Sequence, residues 1–372
     1  MGSGKLLDTG QHKMLVYLML HPRALPVLFL AAALTTQSFA QTVVQGEAFG
    51  YVKLNITAGT GTSKRTTLLS LPLLDEASVT GKAAGRITGV TSNTITASGA
   101  GWAAGQLSAA ATPYLLEITS GNAQGRMLLV STTAANTSDT VTIDADEITR
   151  VGNLTSLELL AGDGSNYRIR PVDTLSSFFG TPETTLIQGG SSANTADTVT
   201  IVMNGSATTY FYNTAVTPRR WARVALGSPD SSNVPLLPHA GVQYARIANT
   251  PLEFIVTGKV PTGQRKVPIR ASGTTLLAPF WPVSQTLAGL GLQNTPGWAS
   301  GASPATADTL VLSSGGSVNT FFHDGTNWRR TGLGSPVSNS NVVPVGTALL
   351  INRKSGATTF GTYQQSAPYN LQ

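Results

Sequence analysis

Apolar positions along this chain come in short runs that alternate with polar ones, at the period of an extended strand. Tyr51-Val52-Lys53-Leu54-Asn55-Ile56 alternates strictly, as do the stretches from Leu115 to Thr119, Thr140 to Ile143 and Thr198 to Met203. Successive side chains of a strand point to opposite faces, so the pattern predicts strands with one face buried. The runs are rich in Val, Ile, Thr, Tyr and Phe, and clusters of Gly, Asn, Ser and Pro separate them. β-Branched and aromatic residues suit a pleated surface, and the separating residues suit turns. The expected fold class is all-β. Two segments depart from it: Thr174 to Phe179 and Thr286 to Leu292 each follow a Pro-Val pair and predict a short helix or helical turn.

The same pattern is written twice. Pro171-Val172-Asp173-Thr174-Leu175 is answered by Pro282-Val283-Ser284-Gln285-Thr286-Leu287, and Ala196-Asp197-Thr198-Val199 by Ala307-Asp308-Thr309-Leu310. Trp221 is answered by Trp328, Leu226-Gly227-Ser228-Pro229 by Leu333-Gly334-Ser335-Pro336, and Arg246 by Arg353. A fainter echo joins Thr66-Thr67-Leu68-Leu69 to Thr274-Thr275-Leu276-Leu277, with the alternating stretches Tyr51 to Gly61 and Leu252 to Gly263 ahead of them. A repeat of about 110 residues is a duplicated module rather than a solenoid period. The expected architecture is two related modules of sandwich or barrel type, with a small β-domain inserted in the first. The boundaries read as 1–40 for a signal peptide, 41–76 plus 171–250 for the first module and 77–170 for the insert. The second module takes 251–356, and 357–372 form a C-terminal tail.

The first forty residues have the form of an export signal. Apolar runs from Leu15 to Leu20 and Leu25 to Leu34 follow Lys13 and flank Arg23, and Ser38-Phe39-Ala40 makes a small-x-small cleavage site before Gln41. That is the layout of a secretory leader, with Met1 and Met14 both available as starts. The expected localisation is exported: periplasmic, cell-surface or extracellular. No later apolar run approaches the ~18–20 residues of a spanning helix, so no transmembrane segment is expected after cleavage.

Charge and cysteine content narrow the chemistry. Of 24 basic and 18 acidic residues, the leader holds Lys5, Lys13, Arg23 and Asp8, which leaves the mature chain a net charge of +4. The basic residues are scattered, and a nucleic-acid partner would want a clustered stripe with interleaved aromatics. The chain has no cysteine, which excludes disulfides, thiolate metal sites and a cysteine nucleophile.

Candidate site residues come from the repeated tails. Tyr210-Phe211-Tyr212 leads to Trp221, and Phe321-Phe322-His323 leads through Asp324-Gly325 to Trp328; the Asp-Gly pair predicts a tight hairpin. Tyr210, Tyr212, Trp221, Phe321 and Trp328 would form a glycan platform if exposed, whereas large aromatics in a β-module also serve as its core. Asp197 and Asp308 precede matching strands and Arg246 and Arg353 close matching ones, which makes an ion pair within each module the expected structural role. Asp144-Ala145-Asp146-Glu147 offers oxygen ligands but lacks the glycine and distant glutamate of a calcium loop, and reads as a solvated strand end. Gly59-Thr60-Gly61-Thr62-Ser63-Lys64 lacks the glycine before the lysine of a phosphate loop, and reads as a hairpin tip. The mature chain's histidines, His239 and His323, are not duplicated. No metal site and no cofactor is expected.

The export signal, Gly50-Tyr51-Val52-Lys53-Leu54, Ile118-Thr119-Ser120-Gly121-x-x-x-Gly125-Arg126, and Gly162-Asp163 before Ile169-Arg170-Pro171 recur in order with the twin tails. In these the chain resembles an uncharacterised family of exported bacterial β-rich proteins. The resemblance implies an all-β exported protein and no assigned activity. The Ser-Gly-x-x-x-Gly-Arg phrase is also similar to β-rich modules of phage-derived and surface proteins. The expected function is a non-catalytic structural or surface-associated role with self-association through open strand edges. One alternative is binding of cell-surface polysaccharide by the aromatic tails. Another is a hydrolase with an unrecognised carboxylate pair.

Overall fold

The computed structural model describes residues 48–314, 317–332, 334–354 and 360–369. The expected signal peptide and its cleavage site lie outside the described residues. The chain folds almost entirely into antiparallel strands, and none of its described helices is long and apolar enough to cross a membrane.

Each copy of the repeat builds the same five-stranded sheet. In the first the order is Arg220–Arg223, Ser206–Asn213, Thr198–Met203, Val242–Arg246, Arg65–Leu69. In the second it is Trp328–Arg330, Ser317–His323, Thr309–Ser314, Leu349–Arg353, Gly273–Leu277. The register is kept as well: Thr198 faces Phe211 and Ala245, as Thr309 faces Phe322 and Asn352. The hairpin turn at Asp324 forms as expected, because its side chain accepts from the amides of Thr326 and Asn327 at 2.8 and 2.7 Å. The short helices Leu175–Phe179 and Leu287–Leu290 sit at equivalent points, each capped by a threonine hydroxyl, Thr174 or Thr286.

A two-stranded ribbon covers each sheet and makes each module a sandwich. Phe49–Ile56 pairs with Leu252–Lys259 in the first, and Gln264–Arg270 with Phe360–Ser366 in the second. Val52, Leu54, Ile56, Phe254 and Val256 meet Val199 and Tyr244 in one core; Val267, Ile269 and Tyr363 meet Leu310 and Ile351 in the other. This pairing corrects two expectations. Leu252–Lys259 does not open the second module but closes the first, and its counterpart Phe360–Ser366 lies in the stretch expected to be a tail. Alternation shows that a segment is a half-buried strand but carries no information about its partner. The stretch Gly59 to Lys64 is likewise no hairpin tip, since the strands on either side of it belong to different sheets.

The modules exchange equivalent contacts. Leu69 bridges Thr347 while Ala240, the counterpart of Thr347, bridges Leu277, the counterpart of Leu69. Ala348 donates its amide to Leu68 O at 3.2 Å, and Gly241 donates to Leu276 O at 2.9 Å. Such reciprocity is that of an approximate two-fold axis, with Leu68, Leu276 and Ala348 packed together on it.

Residues between the first two strands of the first module and Pro171 form two further sheets. Ala84–Arg86, Asn166–Pro171, Tyr114–Ile118 and Met127–Leu129 make one, and Gly89–Val90, Thr94–Thr96 and Thr140–Thr142 the other. They share a core of their own that includes Ile95, Trp102, Leu116 and Tyr167. The acidic cluster is not a strand end. Asp144 accepts the Asp146 amide at 2.9 Å and caps the helix Ala145–Val151, on which Glu147 and Arg150 are buried against each other.

Candidate functional site

The aromatic positions of the two tails are all core. Trp221 and Trp328 are each 1% exposed, and Tyr210, Tyr212 and Phe321 are buried with them. Both indole N–H groups are satisfied inside the protein, Trp221 by Gly180 O at 3.0 Å and Trp328 by Gln293 Oε1 at 3.2 Å. Strand alternation turns Phe211 to the opposite side of the sheet, and it too is covered, by Ala196 and Ala222. The glycan platform is therefore corrected to core packing: a stacking surface has to be reachable, and these rings are not.

The duplicated charges form buried locks. Arg246 Nη1 lies 2.8 Å from Asp197 Oδ2, and Arg353 Nε lies 3.0 Å from Asp308 Oδ2. Each carboxylate also takes two amides in equivalent places. Asp197 accepts from Gln188 and Ile247, both at 2.8 Å, and Asp308 from Ala299 at 2.9 Å and Lys354 at 2.8 Å. Each lock thus ties the loop ahead of its strand to the end of the neighbouring strand. In the first module Tyr244 adds a phenol donor at 2.8 Å, and burial first, then the Asp197 charge, raises that phenol well above its ordinary range.

A third buried cluster joins the insert to both modules. Glu117 accepts from Arg170 Nε and from Arg265 Nη1, and Arg170 continues to Glu76 at 2.9 Å. Burial pushes the Glu117 carboxyl upward, but the two guanidinium groups more than offset this and hold it below the usual carboxylate range.

Beside this junction, the insert and the second module enclose a cleft of about 560 Å³. The turn Ser120 to Arg126 builds one wall. Gly125 sits at φ 89° with the Gln264 carbonyl where a side chain would begin, so only glycine lets the turn dock on Gln264–Arg270. Docking brings Arg126 to Thr362 Oγ1 at 2.9 Å and Lys266 Nζ to the Asn122 carbonyl at 2.6 Å. Among the described residues neither cation pairs with a carboxylate within ion-pair distance. Burial lowers the Lys266 pKa and the neighbouring Arg126 charge lowers it further, while Glu147 partly counters the burial of Arg126. Ser156, Asn294, Thr295 and Gln364 add hydroxyls and amides. Thr295 is 4% exposed, and its hydroxyl has no hydrogen-bond partner among the described residues. The one carboxylate of the lining is Glu158, which accepts from Asn122.

Comparison with family models, curated proteins and solved structures finds no match for this chain. Two acids do share one small cavity, Asp75 and Asp173, and burial first, then the Asp173 charge, raises the Asp75 pKa. That space, about 30 Å³, has room for about one water and none for a glycoside. The described residues contain no group of three metal-ligating side chains. The pairing of Arg126 with Lys266 was not visible in the sequence, because they lie far apart in the chain and meet only when the insert docks. Only the Ser-Gly-x-x-x-Gly-Arg phrase signalled the place.

Proposed function

We propose that this chain is an exported, surface-associated structural protein without a catalytic role, and that it self-associates through its first ribbon. One observation carries the reading. The two ribbons are equivalent, but the outer face of the second is half-buried beneath the insert turn and by a bond from Arg270 to Asn204 O. Among the described residues the outer face of the first is largely uncovered, with Lys259 over the Phe49 ring. It presents Phe49, Tyr51 and Ile255, which are 71, 69 and 58% exposed. Exposed aromatic and aliphatic side chains side by side on a strand ribbon mark a contact surface. Lys53 and Glu253 lie 3.0 Å apart on the same face, so the patch carries both signs of charge and suits a second copy turned by a two-fold.

Further support comes from the use made of buried charge. Asp197, Asp308 and Glu117 hold backbone and arginine in place, as a scaffold requires. Export rests on the leader-like sequence before Gln41, and bacterial origin on the resemblance of the motifs.

The test is sedimentation of the chain beginning at Gln41, with Tyr51→Lys/Ile255→Lys as the comparison. The wild-type chain is expected to form dimers or larger species and the variant to stay monomeric. A wild-type chain that is monomeric at every concentration refutes the reading.

A further inference from the structure

The cleft between the insert and the second module has features that a structural seam does not need. Two half-buried cations, Arg126 and Lys266, line it with no carboxylate within ion-pair distance among the described residues, although the Glu147 charge acts on Arg126. A seam built for stability would pair or exclude such charges, since burying an unpaired cation costs free energy. The buried Thr295 hydroxyl beside it has no hydrogen-bond partner among the described residues. Neutral hydrogen-bonding groups of Asn122, Ser156, Asn294 and Gln364 also line it. The volume suits a ligand of one or two sugar rings.

We propose that this cleft binds an acidic saccharide, with the carboxylate of a uronic acid held by Arg126 and Lys266 and its hydroxyls by the surrounding amides and hydroxyls. Arginine and lysine together favour an anion, and charge-assisted bonds are the strong ones in such a site. Glu158 selects among anions. Its carboxylate can accept from a sugar hydroxyl, but it repels a dianion such as phosphate. The inference does not depend on self-association, because the cleft and the first ribbon are on different parts of the chain.

The test is calorimetric titration of the chain beginning at Gln41 with digalacturonate, its neutral methyl ester and inorganic phosphate. Digalacturonate is expected to bind saturably and more weakly as salt rises, and the ester at least about tenfold more weakly. Lys266→Gln should weaken binding by about tenfold or more. Asn294→Asp, at an exposed position that leaves both cation contacts intact, should do the same by repulsion without lowering the melting temperature. Failure of digalacturonate to bind overturns the proposal, and so does binding that neither variant weakens. Phosphate binding as tightly as digalacturonate overturns the saccharide assignment. Sedimentation of the same samples separates these outcomes from a failure of the scaffold reading.

Discussion

Arg246 and Asp197 are each almost wholly buried, and they meet at 2.8 Å where two neighbouring inner strands of the first module's sheet begin and end. Arg353 and Asp308 repeat the arrangement in the second. A buried pair contributes little when compared with apolar groups of the same shape, but losing one partner leaves an uncompensated charge. Asp308→Ala should therefore cost about 3–5 kcal/mol in denaturant unfolding. Tyr244→Phe should cost only about 1 kcal/mol, because Asp197 keeps its other donors.

The junction at Glu117 behaves in the same way, with a local readout. Glu117→Gln leaves Arg170 and Arg265 facing a neutral amide. The insert should loosen from Gln264–Arg270, seen as faster hydrogen exchange at the Lys266 amide, which bonds the Gly125 carbonyl at 3.0 Å. Unchanged exchange there would show that the cluster does not hold the insert.

Gly125→Ala should be costly despite its small size. Left-handed backbone strain of about 1–3 kcal/mol adds to a collision with the Gln264 carbonyl. Thermal unfolding should fall accordingly, and digalacturonate binding should be lost with the wall of the cleft.

His239 gives the fold an acid-sensitive element. Burial first, then the nearby Arg150 charge, lowers its pKa from 6.5 to about 3, and its Nε2 has no partner among the described residues. The unfolded chain takes up the proton near pH 6.5 and the folded chain does not until about pH 3. The neutral imidazole's contribution is thus complete above pH 6.5 and is lost as pH falls, at about 1.4 kcal/mol per unit. In His239→Gln, stability measured between pH 6.5 and 4 should decline less steeply than in the wild type. Equal slopes would contradict the assignment.

Much of the fold was legible because the duplication repeats its most constrained residues. Asp197, Arg246 and Trp221 each have several partners that fix their identity, and each has a counterpart in the second copy. Strand partners were less legible. Leu252–Lys259 alternates like any half-buried strand, and nothing in it names Phe49–Ile56, which is distant in the chain, as its partner. The cleft was hidden for a related reason. Arg126, Lys266 and Thr295 come from separate segments, and the Ser-Gly-x-x-x-Gly-Arg phrase that ends in Arg126 does not name the other two. The tail aromatics misled in the opposite direction, since a tryptophan beside tyrosines looks the same whether it fills a core or lines a surface.

Both copies fold around the same buried lock. Double-mutant cycles on Asp197/Arg246 and Asp308/Arg353, read by denaturant unfolding, test it most directly. A coupling of about 1–3 kcal/mol in each module is the expected result. Coupling near zero in either one would contradict the claim.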